Sequence, residues 1–531
     1  MLFDIFKVMM IAVLCTVASV HYLHVLQMER YQLPGYRHWL SRRRDRVLRE
    51  NVLLAFVFSA ASLYLPVFLS MFMTGEDARR ALSGWVVLLA FAGVCAAIGW
   101  RDYHLASRKP FVITLRVRRL MGVLMALFLL GGALLSLVSI PAYFLFAGVP
   151  YLVELAALII NPYENKLNAG FFKSAKQKIR QQKGLITIGI TGSFGKTNVK
   201  FILRDILSKK YKVLATPASF NTAMGISRVV NDDLTPEHQV FIAEMGATHV
   251  GDIKQLVELV RPKYGILTSV GPRHLDTFGS LENIASTKFE LIQGLPKRGL
   301  AVFGSGEYVD RLYAQCERDK CRVSLDPEAV AYMRAERVLY SAKGTSFTMI
   351  CEDGGRVQCR TRLLGAFNVE NILLAAALAH RMGLTLEEIA EAVGELQPIE
   401  HHMQLIPGEL TVIDDALNED DSGAFEALRV LSQMPGRRIV ITPGLGETGE
   451  KDGDVNYALG TVMADSADAV ILVGRRAFSR SIVRGMVQSG FSRANIHTAD
   501  DMDDAAEILQ EISEPGDTVL FESRIPEYEE I

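Results

Sequence analysis

The chain has 531 residues, with 57 lysines and arginines against 59 acidic residues, a near-balance that gives no basis for a nucleic-acid partner. Half of the residues are hydrophobic and the mean hydropathy is +0.20, more apolar than a soluble enzyme needs, which points to a membrane. Six cysteines in this length exclude a disulfide-stapled scaffold, and the length predicts about three or four structural units.

Five apolar segments come first: Phe3–Leu26, Val52–Phe72, Ala81–Trp100, Leu120–Ile140 and Tyr143–Ile160. Each is near the roughly 20 residues that carry a helix across hydrocarbon. The first has neither a basic start nor a small-residue cleavage site, so it reads as a retained span and not a signal peptide. Arg30, Arg37, Arg42, Arg43, Arg44, Arg46 and Arg49 fall between the first two segments. Arg101, Arg108, Lys109, Arg116, Arg118 and Arg119 fall between the third and fourth. The positive-inside rule puts both basic loops in the cytosol; five crossings then leave the N-terminus outside and the rest of the chain in the cytosol. Glu154, within the fifth segment, is an ionisable group at membrane depth, either functional, snorkelling to the interface or satisfied by a polar neighbour. After this membrane region, 1–165, comes a basic linker, 166–184. Its Lys173, Lys176, Lys178, Arg180 and Lys183 beside Phe171 and Phe172 suit an interfacial helix on anionic lipid or a solvated connection.

The stretch Leu185-Ile-Thr-Ile-Gly-Ile-Thr-Gly-Ser-Phe-Gly-Lys-Thr-Asn198 organises the remainder of the chain. A β-branched run predicts a buried strand, Gly192 and Gly195 break it, and an amphipathic helix is predicted from Thr197 to about Ser208. Strand, glycine turn and helix make a phosphate cradle: backbone N–H groups and the helix dipole face the anion. Lys196 would reach the terminal phosphates and the Thr197 hydroxyl would hold magnesium. The usual loop has glycine six residues before its lysine; here that position is Ile190, so the loop is a variant.

Alternation continues with strands expected at Lys212–Ala215, Val240–Glu244, Tyr264–Val270 and Gly299–Gly304, and helices at Ile253–Val260 and Leu281–Gln293. That order predicts a parallel, doubly wound α/β sheet with its ligand at the carboxyl ends of the strands. Val338–Leu364 is β-rich, with a hairpin signal at Asp353–Gly355, and helices are expected next at Val369–Met382 and Leu386–Leu396. A central domain is therefore drawn at 185–398 and a second α/β domain at 399–531, with strands at Val412–Asp415, Arg438–Thr442, Ala469–Val473 and Thr518–Phe521.

Polar groups gather where these strands end: Glu244 in Glu-Met-Gly-Ala with Gly251-Asp-Ile253, then Gly271-Pro-Arg-His-Leu-Asp-Thr-Phe-Gly-Ser280 ahead of Ile284-Ala-Ser-Thr-Lys-Phe-Glu290. Gly365-Ala-Phe-Asn-Val-Glu-Asn371, Asp414-Asp-Ala-Leu-Asn418 and Gly446-Glu-Thr-Gly449 continue the series. Together with Thr191-Gly-Ser-Phe-Gly-Lys-Thr197, this order resembles the Mur ligase family, most closely its MurF type, over about two-thirds of the chain from Lys183 onward. The resemblance implies a P-loop ATPase domain and a Rossmann-like C-terminal domain. It implies that a carboxylate is phosphorylated by ATP and that an amine then displaces phosphate to form an amide.

Carried over residue by residue, the resemblance implies ATP held over Gly192, Ser193 and Gly195 with Lys196 on phosphate. Thr197 and Glu244 would bind a first Mg2+; His274 and Lys288, the lysine as its carbamate, would serve a second. Asn368 and Asn371 match adenine-binding asparagines and Asp415 a C-terminal aspartate that contacts ATP. Ser269 and Phe367 stand where the family has Asn and His, His402 where Arg is usual, and Asp-Ala-Leu-Asn-Glu-Asp-Asp421 replaces Asp-Ser-Tyr-Asn-Ala-Asn-Pro. No segment between membrane and phosphate loop is large enough to hold a UDP-sugar. A membrane-bound acceptor, a lipid-linked muropeptide or another envelope polymer, is therefore expected, with an amino acid or dipeptide as the other substrate, at the cytosolic face of a bacterial inner membrane. A polyglutamate-synthetase-like ligase, an ATPase-driven membrane transporter and a silent scaffold are the other readings. Cys316-x4-Cys321 and Cys351-x7-Cys359 are spaced more loosely than zinc knuckles, so free or buried thiols are expected there.

Overall fold

The computed structural model describes all residues except 1, 30, 105–110, 219, 342, 399–400, 402, 417–420, 446–451, 475 and 523–531. The chain divides into two compact units, with the break between Ala169 and Gly170.

The first unit is helical: α1 (Leu2–Ala18), α2 (Val20–Met28), α3 (Leu33–Leu69), α4 (Glu76–His104), α5 (Leu115–Leu137), a 3-10 stretch (Ala142–Gly148) and α6 (Val149–Gln181). Five segments are long and apolar enough to cross a membrane: Asp4–Met28, Glu50–Leu69, Ala78–Ile98, Leu115–Leu137 and Ala142–Gln181. One face of these helices packs inward through Ile11, Leu23, Phe91, Phe128, Tyr143 and Val153. Phe56, Tyr64, Val67, Leu89 and Leu130 stay exposed on the outside, the reverse of what water selects. The first basic run is not a loop, because α3 starts at Leu33 and stays helical through it. The side chains of Arg30, Arg43, Arg44, Arg46, Arg49, Arg101, Arg108 and Lys109 lie outside the described set. Glu154 has its polar neighbour: Arg37 Nε donates to Glu154 Oε1 at 2.6 Å.

The second unit opens with β1 (Ile186–Thr191), α7 (Lys196–Ser208), β2 (Val213–Ala215), α8 (Ala223–Asp232), β3 (Val240–Glu244), α9 (Asp252–Val260), β4 (Tyr264–Leu267), α10 (Leu275–Phe278) and α11 (Leu281–Gln293). It continues with β5 (Leu300–Phe303), α12 (Glu307–Gln315), β6 (Asp319–Ser324), β7 (Met333–Ser341), β8 (Gly344–Cys351), β9 (Arg356–Thr361), α13 (Ala366–Arg381) and α14 (Leu386–Glu395). The nine strands form one sheet in the order β2-β3-β1-β4-β5-β6-β7-β8-β9, parallel except for the antiparallel β7–β8–β9 end. β1 runs between β3 and β4, with Ile190 opposite both Glu244 and Ile266. The loops after these three strands therefore open side by side. The expected hairpin forms at Asp353–Gly355, where Asp353 Oδ1 accepts from Gly355 N at 2.9 Å.

A six-stranded sheet comes next, in the order β10-β11-β15-β12-β13-β14. Its elements are β10 (Gln404–Ile406), β11 (Thr411–Asp415), α15 (Asp421–Leu431), β12 (Arg438–Thr442), α16 (Asp452–Ser466), β13 (Ala469–Val473), α17 (Arg476–Gln488), β14 (Ile496–Ala499), α18 (Met502–Ile512) and β15 (Thr518–Glu522). β10 is antiparallel to β11 and the remaining pairs are parallel.

The stretch 166–181 is helix, not an open connection. Ala175 and Ile179, one turn apart on α6, are buried against Ile226 and Val229 of α8, and Lys178 Nζ donates to Asn231 O at 2.8 Å. All six cysteines are free and buried. Burial pushes the Cys321 and Cys359 thiols up to about 12, which leaves them inert.

Candidate functional site

The cradle begins with β1, whose Ile190 is fully buried, so the variant position is spent on the strand's packing and the turn starts later. A Cβ on Gly192 would stand 1.9 Å from Thr268 Oγ1. Gly195 has φ 77 and a Cβ there would meet Asn371 Oδ1 at 2.5 Å, so both turn positions require glycine. The residues between them are pinned to the loop after β4. Ser193 N donates to Ser269 O at 2.8 Å, Phe194 N to Ser269 Oγ at 3.0 Å, and Gly271 N to Ser193 Oγ at 2.8 Å. Ser269, a departure from the family pattern, thus holds the cradle with both its hydroxyl and its carbonyl.

Lys196 opens α7 and curls back, donating from Nζ to Gly192 O at 2.8 Å and to Ser193 O at 3.1 Å. Thr197 Oγ1 donates to Glu244 Oε2 at 3.0 Å, at the end of β3. The sequence pattern does not single out the rest of this constellation. Lys200 Nζ donates to Glu244 Oε2 at 2.9 Å, Asn221 Nδ2 to Oε1 at 3.0 Å, and Glu244 N to Thr216 Oγ1 at 3.2 Å. One signal for it exists: Lys200 lies among Val199, Ile202, Leu203 and Ile206 on the core-facing side of α7, where a lysine needs an acidic partner.

Lys288 lies on α11, 5% exposed, and its Nζ makes no hydrogen bond among the described residues. Burial, then the Lys196 ammonium and the Arg273 guanidinium, push it down to about 7. Lys196 is pushed down to about 8, by burial first and by Arg273, with Glu244 opposing. Arg273, in the Gly271–His274 motif, lies over the Phe194 ring at 6.0 Å. On the other side of the cradle, Asn198 Nδ2 of α7 donates to Asn368 Oδ1 at 3.1 Å, and Asn371 Nδ2 is buried without a partner among the described residues.

The structure therefore brings Gly192, Ser193, Gly195, Lys196, Thr197, Glu244, Lys288, Asn368 and Asn371 around one turn. His274 caps α10 with φ 60 and an exposed side chain. Asp415 is buried at the end of β11 and accepts from Met403 N at 2.8 Å within its own sheet's domain. His402, Asn418 and Gly446–Gly449 lie outside the described residues, and Phe367 is partly exposed at the start of α13.

The depressed Lys288 sets a pH test. It gives up its proton near 7 in the folded chain and near 10.5 in the unfolded one, so between those values the unfolded state binds more protons and stability rises with pH. Lys288→Met removes this burden, which is on the order of a few kcal/mol at pH 7. The variant is expected to melt above wild type in detergent at pH 7, with the margin shrinking toward zero near pH 10.5. A margin that does not change with pH would show that Lys288 is not desolvated.

A phosphate cradle on a parallel sheet, with a hydroxyl–carboxylate pair at its mouth and a second α/β domain after it in the chain, defines a P-loop nucleotide-using enzyme. Family models for the Mur ligase middle domain and the Mur ligase, glutamate ligase domain match residues 190–379 and 401–524. The UDP-N-acetylmuramoyl-tripeptide–D-alanyl-D-alanine ligase of Escherichia coli K12 is 30% identical over 314 residues, covering 58% of this chain and 69% of that protein. The protein of the same name from Mycobacterium bovis is 31% identical, covering 64% and 70%. The structure of MurF ligase from Thermotoga maritima in complex with ADP superposes with a TM-score of 0.59 at 22% identity, over 68% of this chain and 81% of that one. The chain belongs to the Mur ligase family of ATP-dependent ligases.

Proposed function

We infer that this chain is a MurF-like ligase that uses ATP to form an amide bond on a peptidoglycan precursor, held at the bacterial inner membrane by its N-terminal helices with the ligase domains in the cytosol. The observation that carries the reading is the Thr197–Glu244 pair at the mouth of the cradle, in a Mur ligase chain. A carboxylate of the acceptor takes the γ-phosphoryl group and ADP leaves. The amine of an amino acid or dipeptide then displaces phosphate, and the amide remains.

The residues fit the groups this chemistry requires. Thr197 and Glu244 offer the hard oxygen ligands that suit Mg2+, which when bound neutralises charge on the transferring phosphoryl group. Lys196 leaves the Gly192 and Ser193 carbonyls for the stronger acceptors of a triphosphate. Asn368 and Asn371, the latter with an amide nitrogen buried and without a partner among the described residues, would take the adenine, and Asp415 would contact the nucleotide. Lys288, pushed down to about 7, would supply the neutral amine that carbamate formation requires and with His274 would hold a second Mg2+.

The E. coli relative is named for a UDP-linked substrate. Here only the end of α6 and a short turn precede β1, which leaves no room for a separate uridine-binding domain at that point. We therefore assign the acceptor to the membrane, as a lipid-linked muropeptide. The full chain in liposomes, given ATP, Mg2+, D-alanyl-D-alanine and a panel of amino acids, should add a residue to the lipid-linked acceptor, read as a mass increase. Equal ligation of the soluble UDP-linked peptide would remove the lipid-linked part of the reading. No product and no ATP turnover with either acceptor would remove the ligase.

A further inference from the structure

We propose that Lys200 is a positioning residue that fixes the Glu244 carboxylate and couples it to the loop between β2 and α8, so that metal occupancy and the placement of that loop rise and fall together. Lys200 comes one turn after Lys196 on α7, yet the two ammonium groups have different surroundings. Lys196 rests on carbonyls of its own loop, bonds that a phosphate can replace. Lys200 is fully buried, and its Nζ is shared between Glu244 Oε2 and the carbonyl of Ala218.

Ala218 has φ 43, a left-handed conformation that alanine rarely adopts, and its carbonyl is turned toward Lys200. Three residues on, Asn221 returns to Glu244 through Oε1, while its own carbonyl accepts from Gly246 N at 2.9 Å just beyond β3. Lys200 and Asn221 thus grip the carboxylate and the loop from two sides. With Thr197 on Oε2 as well, both oxygens of Glu244 are oriented before any cation arrives. A carboxylate that has to bind a divalent ion is buried here at 1% exposure, and the Lys200 ammonium, 2.9 Å from Oε2, is the ion-pair partner that holds it in place.

This inference rests on Glu244 being a metal ligand, and its test does not need the ligase reaction. A fluorescent ADP is titrated with Mg2+ on the full chain in detergent, for wild type, Lys200→Met and Lys200→Arg. Loss of a residue that orients a ligand costs about 10–100-fold in metal affinity. The Mg2+ concentration for half-maximal nucleotide binding should rise by about tenfold or more in Lys200→Met, with Mg2+-free nucleotide binding unchanged. Lys200→Arg, which keeps the charge, should return to within about threefold of wild type. A merely structural role would weaken binding with and without Mg2+ alike and would overturn the proposal, as would an unchanged Mg2+ requirement in Lys200→Met. If Lys200→Met does not fold, a Lys200→Arg Mg2+ requirement raised as far as in Asn221→Ala would count against the charge, and one near wild type would support it. Wild type that binds no nucleotide at any Mg2+ concentration would instead remove the functional reading on which this stands.

Discussion

A Lys196→Ala chain is expected to fold normally and to turn over ATP at least about a hundredfold more slowly than wild type, read as phosphate release. The fold survives because the hydrogen bonds of Lys196 among the described residues go to two carbonyls of its own loop, and the cradle is held independently by Ser193, Phe194 and Ser269. Turnover falls because the charge removed is the one at the first residue of α7, where the helix dipole and the loop N–H groups already face an anion. Burial and Arg273 hold this lysine down at about 8 when no phosphate is present, so a triphosphate is the partner that restores its charge in full. Binding of ADP should weaken less than turnover, since the charge matters most where it builds during transfer. A rate within about threefold of wild type would mean that the loop is a plain turn and that nucleotide chemistry, if any, lies elsewhere.

The strands that carry this site are legible in the sequence because burial on both faces forces them to be apolar throughout. Val240–Glu244 and Arg438–Thr442 fall on the expected residues, as does the amphipathic helix Leu281–Gln293. β6 and β14 are not visible there, because Asp-Lys-Cys-Arg-Val-Ser and Ile-His-Thr-Ala are short and largely polar, and only Cys321, Val323 and Ala499 in them are buried. The lysines of the linker dominate its pattern, whereas Ala175 and Ile179, two apolar side chains one turn apart, decide that it packs. At the site, the motif residues are legible because each lies in a short contiguous pattern. Asn221, Thr216 and Lys200 are not, since they meet Glu244 only after β2, β3 and α7 have been placed side by side. The Lys288 environment is hidden for the same reason: its shift comes from burial and from cations on two other segments.

Glu244→Ala should have a second signature besides loss of ATP turnover, a fall in the melting temperature of the catalytic unit. Removing the carboxylate leaves the Lys200 ammonium fully buried with the Ala218 carbonyl as its remaining hydrogen-bond partner among the described residues, and strips acceptors from Thr197 and Asn221. Breaking a buried ion pair from one side costs about 3–5 kcal/mol, far more than the net worth of the intact pair. For a unit of this size that corresponds to a drop on the order of 10 °C. The double variant Lys200→Met with Glu244→Ala removes the stranded charge and should recover most of the loss, because two groups in contact do not act additively. Turnover should stay absent in the double variant, which separates the carboxylate's part in the reaction from its part in the fold. If the double variant melts as low as the two single losses added together, the pair is not coupled and Glu244 is held by Thr197 and Asn221 alone. If Glu244→Ala melts with wild type, Lys200 has found water or another acceptor, and the carboxylate is not the centre on which α7, β3 and the loop after β2 converge.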